Sequence, residues 1–296
     1  MPRIITLVIL IVLTSACSRT ELAYRKADWL LEYYAWKAVQ TSSTQRDDWQ
    51  PLLQATLRQH REQELPLVIA YLDLARRSIV ETDDSVGAAC LVDGAQLLYQ
   101  RHARLAVDLA VPLLVELDAA QIRHLAEYMT QRQQEAIKVY RDPDPQRRKA
   151  ARLKRITERF EKWTGKLNDS QRQHIKDSLE GIPDLSASWL TYRAQHMDKL
   201  VAMLETGTSA EALRTYLDGW WIQRDGTSAE TRQSWYAARY EFIQLMDDLA
   251  SMLTSKQRTT LENRLDDLRE QLASFLPPAP EAVTLQLVPA CTSSPD

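Results

Sequence analysis

Four stretches of this chain read as capping boxes, in which a helix-capping side chain stands three positions ahead of a glutamine. The copies are Ser42-x-x-Gln45, Asp118-x-x-Gln121, Asn168-x-x-Gln171 and Thr254-x-x-Gln257. In such a capping box the first side chain accepts from the N3 amide and the glutamine reaches back to the cap amide, so each copy fixes a helix start. Leu117, Leu167 and Leu253 immediately precede three of the copies, where they can form a hydrophobic staple; the Ser42 copy lacks the leucine. The spacing is too uneven for a solenoid. It suits helical-hairpin units arranged as two diverged halves, 17–142 and 143–276.

Apolar residues between the boxes recur with helical spacing. Trp49, Leu52, Leu53, Thr56, Leu57 and His60 lie on one stripe of a helix over Asp47–Glu62. Pro66 is expected to break that helix or start the next. Asp84 to Leu117 reads as a long apolar helix, and Asp142-Pro143-Asp144-Pro145 as a firm stop. Only seven glycines occur in 296 residues, too few for a fold built on tight β-turns. The expected fold is therefore all-α, a multi-helix bundle of about eight to ten helices over 17–276, followed by a flexible Pro-rich tail, 277–296.

The first residues carry a location. Arg3 precedes an unbroken apolar run from Ile4 to Leu13, and small residues lead to Cys17. This is a signal peptide of the bacterial lipoprotein type over 1–16, too short to span a bilayer. Cys17 becomes the first mature residue and carries acyl chains, which hold a membrane stably when there are two or more. Ser18, where an aspartate would signal retention at the inner membrane, points to an outer-membrane lipoprotein with its body facing the periplasm. Tyr24, Trp29, Tyr33, Tyr34 and Trp36 follow between 7 and 19 residues past Cys17. Two readings are open for this membrane-proximal group: seating at the headgroup interface, or packing in the core. Cys90 and Cys291 either pair in a disulfide, or Cys90 is a buried free thiol and Cys291 is loose in the tail. Neither belongs to a C-x-x-C motif.

The formal net charge of −3 is no signature of nucleic-acid binding. His60, His102, His124, His174 and His196 are scattered with no metal-ligand spacing, and no metal or cofactor is expected. Neither a G-x-S-x-G nor a phosphate-binding glycine loop occurs. The acid pairs Asp83-Asp84, Asp247-Asp248 and Asp266-Asp267 are sequence neighbours, which do not face each other on a helix. The one charge anomaly is Arg147–Lys166, with nine basic residues against Glu158 and Glu161. It reads either as a solvated face with i, i+4 pairs such as Glu158–Lys162, or as a cationic surface for anionic headgroups or an acidic client. Arg155, Arg159 and Trp163 share one face there, with an arginine–aromatic stack expected. With the adjacent Trp220 and Trp221, one of which lines a groove or both of which cover the core edge, they make the candidate binding surface.

Two resemblances follow from these motifs. The L-[TDN]-x-x-Q boxes resemble the LTxxQ motif of the Spy/CpxP-type periplasmic chaperones, although only Leu253-Thr254-Ser255-Lys256-Gln257 carries the threonine. A broader set resembles a family of proteobacterial lipoproteins of unknown function. It comprises Cys17-Ser18, Leu22-Ala23-Tyr24, Ala27-Asp28-Trp29-Leu30-Leu31, Trp163, Trp189-Leu190, Trp220-Trp221 and Leu253-Thr254 with Gln257-Arg258. The resemblance implies a helical lipoprotein and no activity. The expectation for function is non-enzymatic binding or chaperone-like action on unfolded clients, with the membrane held through the acyl chains. The alternatives are an assembly lipoprotein with a fixed envelope partner, and an envelope hydrolase, for which no spacing speaks.

Overall fold

A computed structural model of the chain describes residues 24–79 and 86–277. The signal peptide, Cys17, Asp83, Asp84, Cys291 and the Pro-rich tail lie outside the described residues, apart from the tail's first residue. The described residues contain helices and no strand. In chain order the helices are α1 (Ala27–Val39), α2 (Ser43–Gln59), α3 (Leu65–Ile79), α4 (Ala88–Leu114), α5 (Ala119–Tyr140) and α6 (Pro145–Thr164). They continue with α7 (Asp169–Gly181), α8 (Ser186–Glu205), α9 (Ala210–Asp218), α10 (Ala229–Ser251) and α11 (Ser255–Ala273). A π turn, His60–Glu64, joins α2 to α3, and another, Gly219–Gln223, extends α9. The described residues thus form ten continuous helices, and the fold is an all-α bundle.

All four capping boxes form, and they open α2, α5, α7 and α11. Their glutamines then do more than cap. Gln45 Nε2 donates to Gln121 Oε1 at 3.0 Å and Gln121 Nε2 donates back at 2.7 Å. Gln171 and Gln257 exchange the same two bonds, both at 2.9 Å. Each amide's second N–H goes to the backbone carbonyl five residues ahead of its partner: Glu116, Gln40, Met252 and Lys166 respectively. Each Oε1 also accepts from its own cap amide, Ser42, Asp118, Asn168 or Thr254, at 3.0–3.1 Å. Two donors and two acceptors per glutamine are thereby satisfied, the full capacity of the side chain. Gln171 is wholly buried, and burying an amide without such partners would cost several kcal/mol, ~1–3 by mutational measures.

The two clasps hold equivalent neighbourhoods. α1 packs on α2 and α5, and α6 packs on α7 and α11. Gly165, with φ +79 and ψ −172, turns the chain from α6 toward the Asn168 box through a conformation essentially reserved for glycine. The long helix α4 is the common support, touching α2, α3, α9 and α10. The largest core cluster joins Trp49 and Leu53 to Val107 and Val111 of α4, and to Leu213 and Leu217 of α9. Burial of each such side chain contributes ~1.5–3 kcal/mol. A second cluster sets Leu65, Ile69 and Leu72 against Leu261 and Leu265 of α11. A third sets Ile175 against Leu245 and Leu249.

Two sequence expectations need correction. α2 begins at Ser43, four residues before the expected start, because the Ser42 box caps it despite lacking its leucine. Pro66 neither breaks the helix nor opens a new one. The π turn just ahead of it, closed by Leu65 N–H on the His60 carbonyl, widens the backbone where the pyrrolidine ring would meet the preceding turn.

Candidate functional site

The packing of α5 brings several surface groups to one end of the bundle. Gln121 Nε2 donates to the Gln40 carbonyl at 3.2 Å, and His124 Nε2 lies 3.1 Å from the Lys37 carbonyl. Residue numbers rise on one helix as they fall on the other, so α1 and α5 run antiparallel. At 1.5 Å per residue, Trp29 sits about 12 Å back from Lys37, level with the last turns of α5. On α8, Leu190 accepts from Gln133 Nε2 at 2.8 Å, so the start of α8 lies at the same end.

There a cationic–aromatic cluster forms from three helices. The Arg155 guanidinium of α6 lies 4.9 Å over the Tyr140 ring. Tyr140 meets Trp189 edge to face, with centroids 6.1 Å apart. Arg193 lies 5.5 Å over Trp189. Such contacts contribute ~0.5–2 kcal/mol each. Neither Arg155 nor Arg193 has a carboxylate partner among the described residues. Burial, reinforced by Arg132, holds the Arg193 guanidinium below its usual range. Arg152 is lowered likewise, by burial and by Arg155 against the pull of Asp184, and it donates to the Ile182 and Pro183 carbonyls. Trp189 is partly exposed, and Ile137 and Val139 expose apolar surface in the last turn of α5, just ahead of Tyr140.

The binding surface expected from sequence comes together only in part. Arg155 stacks as an arginine–aromatic pair, but on Tyr140 and not within its own helix. Arg159 and Trp163 stay on the outer face of α6, with no ring contact among the described residues. Trp220 and Trp221 are both half-buried against the largest core cluster, covering its edge. Trp220 lies nearly parallel to His196 at 5.3 Å. The expected Glu158–Lys162 pair is absent: Glu158 reaches back to Lys154 at 3.8 Å and Glu161 pairs with Arg172 at 2.7 Å.

Core packing does not describe the α1 aromatics. Trp29 is 59% exposed, Tyr33 40% and Trp36 48%. They stack on one another instead, Trp29 on Tyr33 at 5.7 Å and Tyr33 with Trp36 at 6.3 Å. Of the group only Tyr24 turns inward, against Phe275 at 4.3 Å.

Sequence spacing gave no sign that His60 and His102 meet. His60 is carried into place by the first π turn, and its Nε2 lies 3.1 Å from His102 Nε2. His102 Nδ1 donates to the Leu98 carbonyl at 2.6 Å, so its Nε2 is an acceptor and takes the proton of His60 Nε2. His60 Nδ1 then accepts from the Tyr24 hydroxyl at 3.1 Å. The relay is complete with both rings neutral, and burial, aided by His102, holds His60 below its ordinary value. One turn away Glu64, 3% exposed, takes two bonds from Arg101, at 2.6 and 2.7 Å. His196 forms a separate network, with Nδ1 on the Tyr216 hydroxyl at 2.8 Å and Nε2 on the Asp225 carbonyl at 2.9 Å. Burial lowers His196 and pushes the neighbouring Tyr192 up to about 12. Among the described residues no three metal-ligating side chains converge. Cys90 is buried and disulfide-bonded, and its partner lies outside the described residues.

Comparison with known proteins adds one family. The model of a Family of unknown function (DUF6279) matches residues 37–219. No curated protein and no solved structure matches the chain.

Proposed function

The chain belongs to this family of unknown function, and from its own residues we propose that it is a lipid-anchored envelope protein that acts by binding and not by catalysis. Cys17 carries the acyl chains, Ser18 directs the protein to the outer membrane, and the helical body faces the periplasm. The observation that carries this reading is the exposed, stacked face of Trp29, Tyr33 and Trp36, which begins 12 residues past Cys17. Amphipathic aromatic rings favour the headgroup level of a bilayer, and a tether this short keeps them within reach of it. Replacing Cys17 by alanine and fractionating cells tests the anchor; equal partitioning of mutant and wild type into the soluble fraction refutes it.

The binding activity we assign is chaperone-like holding of unfolded envelope proteins. Tyr236 and Tyr240, 71% and 61% exposed, stand one turn apart on α10 and offer apolar contact area. At equimolar ratio the mature chain should slow aggregation of a denatured client, and no suppression argues against this activity. Crosslinked pull-down separates it from an assembly role, in which one stoichiometric partner replaces many weak ones. With the Cys17 sulfur acylated, Cys291 is the remaining partner for the disulfide of Cys90, and we assign that pairing.

A further inference from the structure

We infer that the cluster Arg155–Tyr140–Trp189–Arg193 docks anionic phospholipid headgroups, seating on the bilayer the end of the bundle from which the anchor emerges. The inference rests on the anchoring reading for its position beside the bilayer. Its first ground is chemical. Each guanidinium is oriented over a ring, at 4.9 and 5.5 Å, yet has no carboxylate among the described residues to take its N–H donors. A planar fork held in place with free donors matches phosphate oxygens.

The second ground is position. α1 runs antiparallel to α5, so the start of α1 lies toward the end of α5 that carries Tyr140. The third is the surroundings. Trp189 is exposed between the two cations, and exposed Ile137 and Val139 precede Tyr140 in the last turn of α5, a mixture of aromatic, apolar and basic groups suited to the interfacial zone. α6 adds charge complementarity, since Arg147–Lys166 holds nine basic residues against two acids. An acyl anchor combined with a basic patch also binds membranes more stably than a single chain does. Position beside the anchor favours a lipid surface over an acidic polypeptide, which would need no such placement.

The test uses the mature chain with Cys17→Ser, which bears no acyl group. The described residues from Tyr24 onward build core clusters among themselves. The protein should sediment with vesicles containing phosphatidylglycerol, not with pure phosphatidylcholine, and should be released by high salt. Arg155→Gln/Arg193→Gln should partition about thirtyfold more weakly, the effect of removing two cations from an anionic surface. Arg155→Lys/Arg193→Lys keeps both charges but not the planar forks and should bind between the wild type and the glutamine variant, which separates loss of charge from loss of fold. Absence of vesicle binding, equal binding by the glutamine variant, or capture of polyglutamate in place of vesicles overturns the assignment. Any of these leaves the anchor standing, because Cys17→Ala fractionation decides that separately.

Discussion

Gln171→Ala tests the clasp where its energetics are clearest. The wild-type side chain is wholly buried and makes four hydrogen bonds: to the Met252 carbonyl, from the Asn168 amide, and in both directions with Gln257. Truncation strands those partners in a site closed to bulk solvent. A buried group left unpaired costs ~1–3 kcal/mol, and some strain relaxes, so the total loss should be about 3–5 kcal/mol. That is a large share of the ~5–15 kcal/mol that stabilises a typical domain. Gln45→Ala removes the equivalent amide at a half-exposed site, where water can take over, and should cost only about 1–2 kcal/mol. Urea unfolding followed by circular dichroism measures both. In a double-mutant cycle, Gln257→Ala added to Gln171→Ala should cost clearly less than it does alone, with a coupling of about 2 kcal/mol. A Gln171→Ala loss below about 1 kcal/mol, additive with Gln257→Ala, would show that the reciprocal amides are not what joins α7 to α11.

Arg101→Ala leaves the buried Glu64 carboxylate unpaired and should destabilise by about 3–5 kcal/mol, while Arg101→Ala/Glu64→Gln recovers part of that in the same unfolding assay. Burial holds His60 and His196 below the ordinary value of 6.5 that they regain on unfolding, so the unfolded chain binds more protons. Stability should therefore be full above about pH 6.5, decline as the pH falls from there toward the folded values, and decline less in His60→Gln/His196→Gln; a parallel pH profile in the variant refutes this. Proteolytic mapping without reductant should link the peptide containing Cys90 to that containing Cys291, and a Cys90 alkylated without prior reduction would rule the pairing out.

The start of a helix is a local matter, and sequence reads it well. Ser42, Asp118, Asn168 and Thr254 each cap where the box places them, because cap and glutamine are three residues apart. That the four glutamines meet in pairs was hidden, since Gln45 and Gln121 are 76 residues apart and Gln171 and Gln257 are 86. The same limit hid His60 beside His102 and Arg155 over Tyr140, for in each case the partner is set by how helices cross. Pro66 misled for the opposite reason. Its local effect was read correctly as a disturbance, but a π turn absorbed it without ending the helix. The α1 aromatics looked equally fit for interior or interface, because side-chain chemistry alone does not say which side of a helix has a neighbour.

The reciprocal glutamines also constrain how such a chain can evolve. A carboxylate at any of the four positions is one nucleotide away, yet it would set oxygen against oxygen and remove both donors at once. Neither member of a pair can drift alone, so substitution there must come as a concerted exchange. Hydrolysis of one amide to an acid would impose the same mismatch and loosen the pair of helices that the amides join.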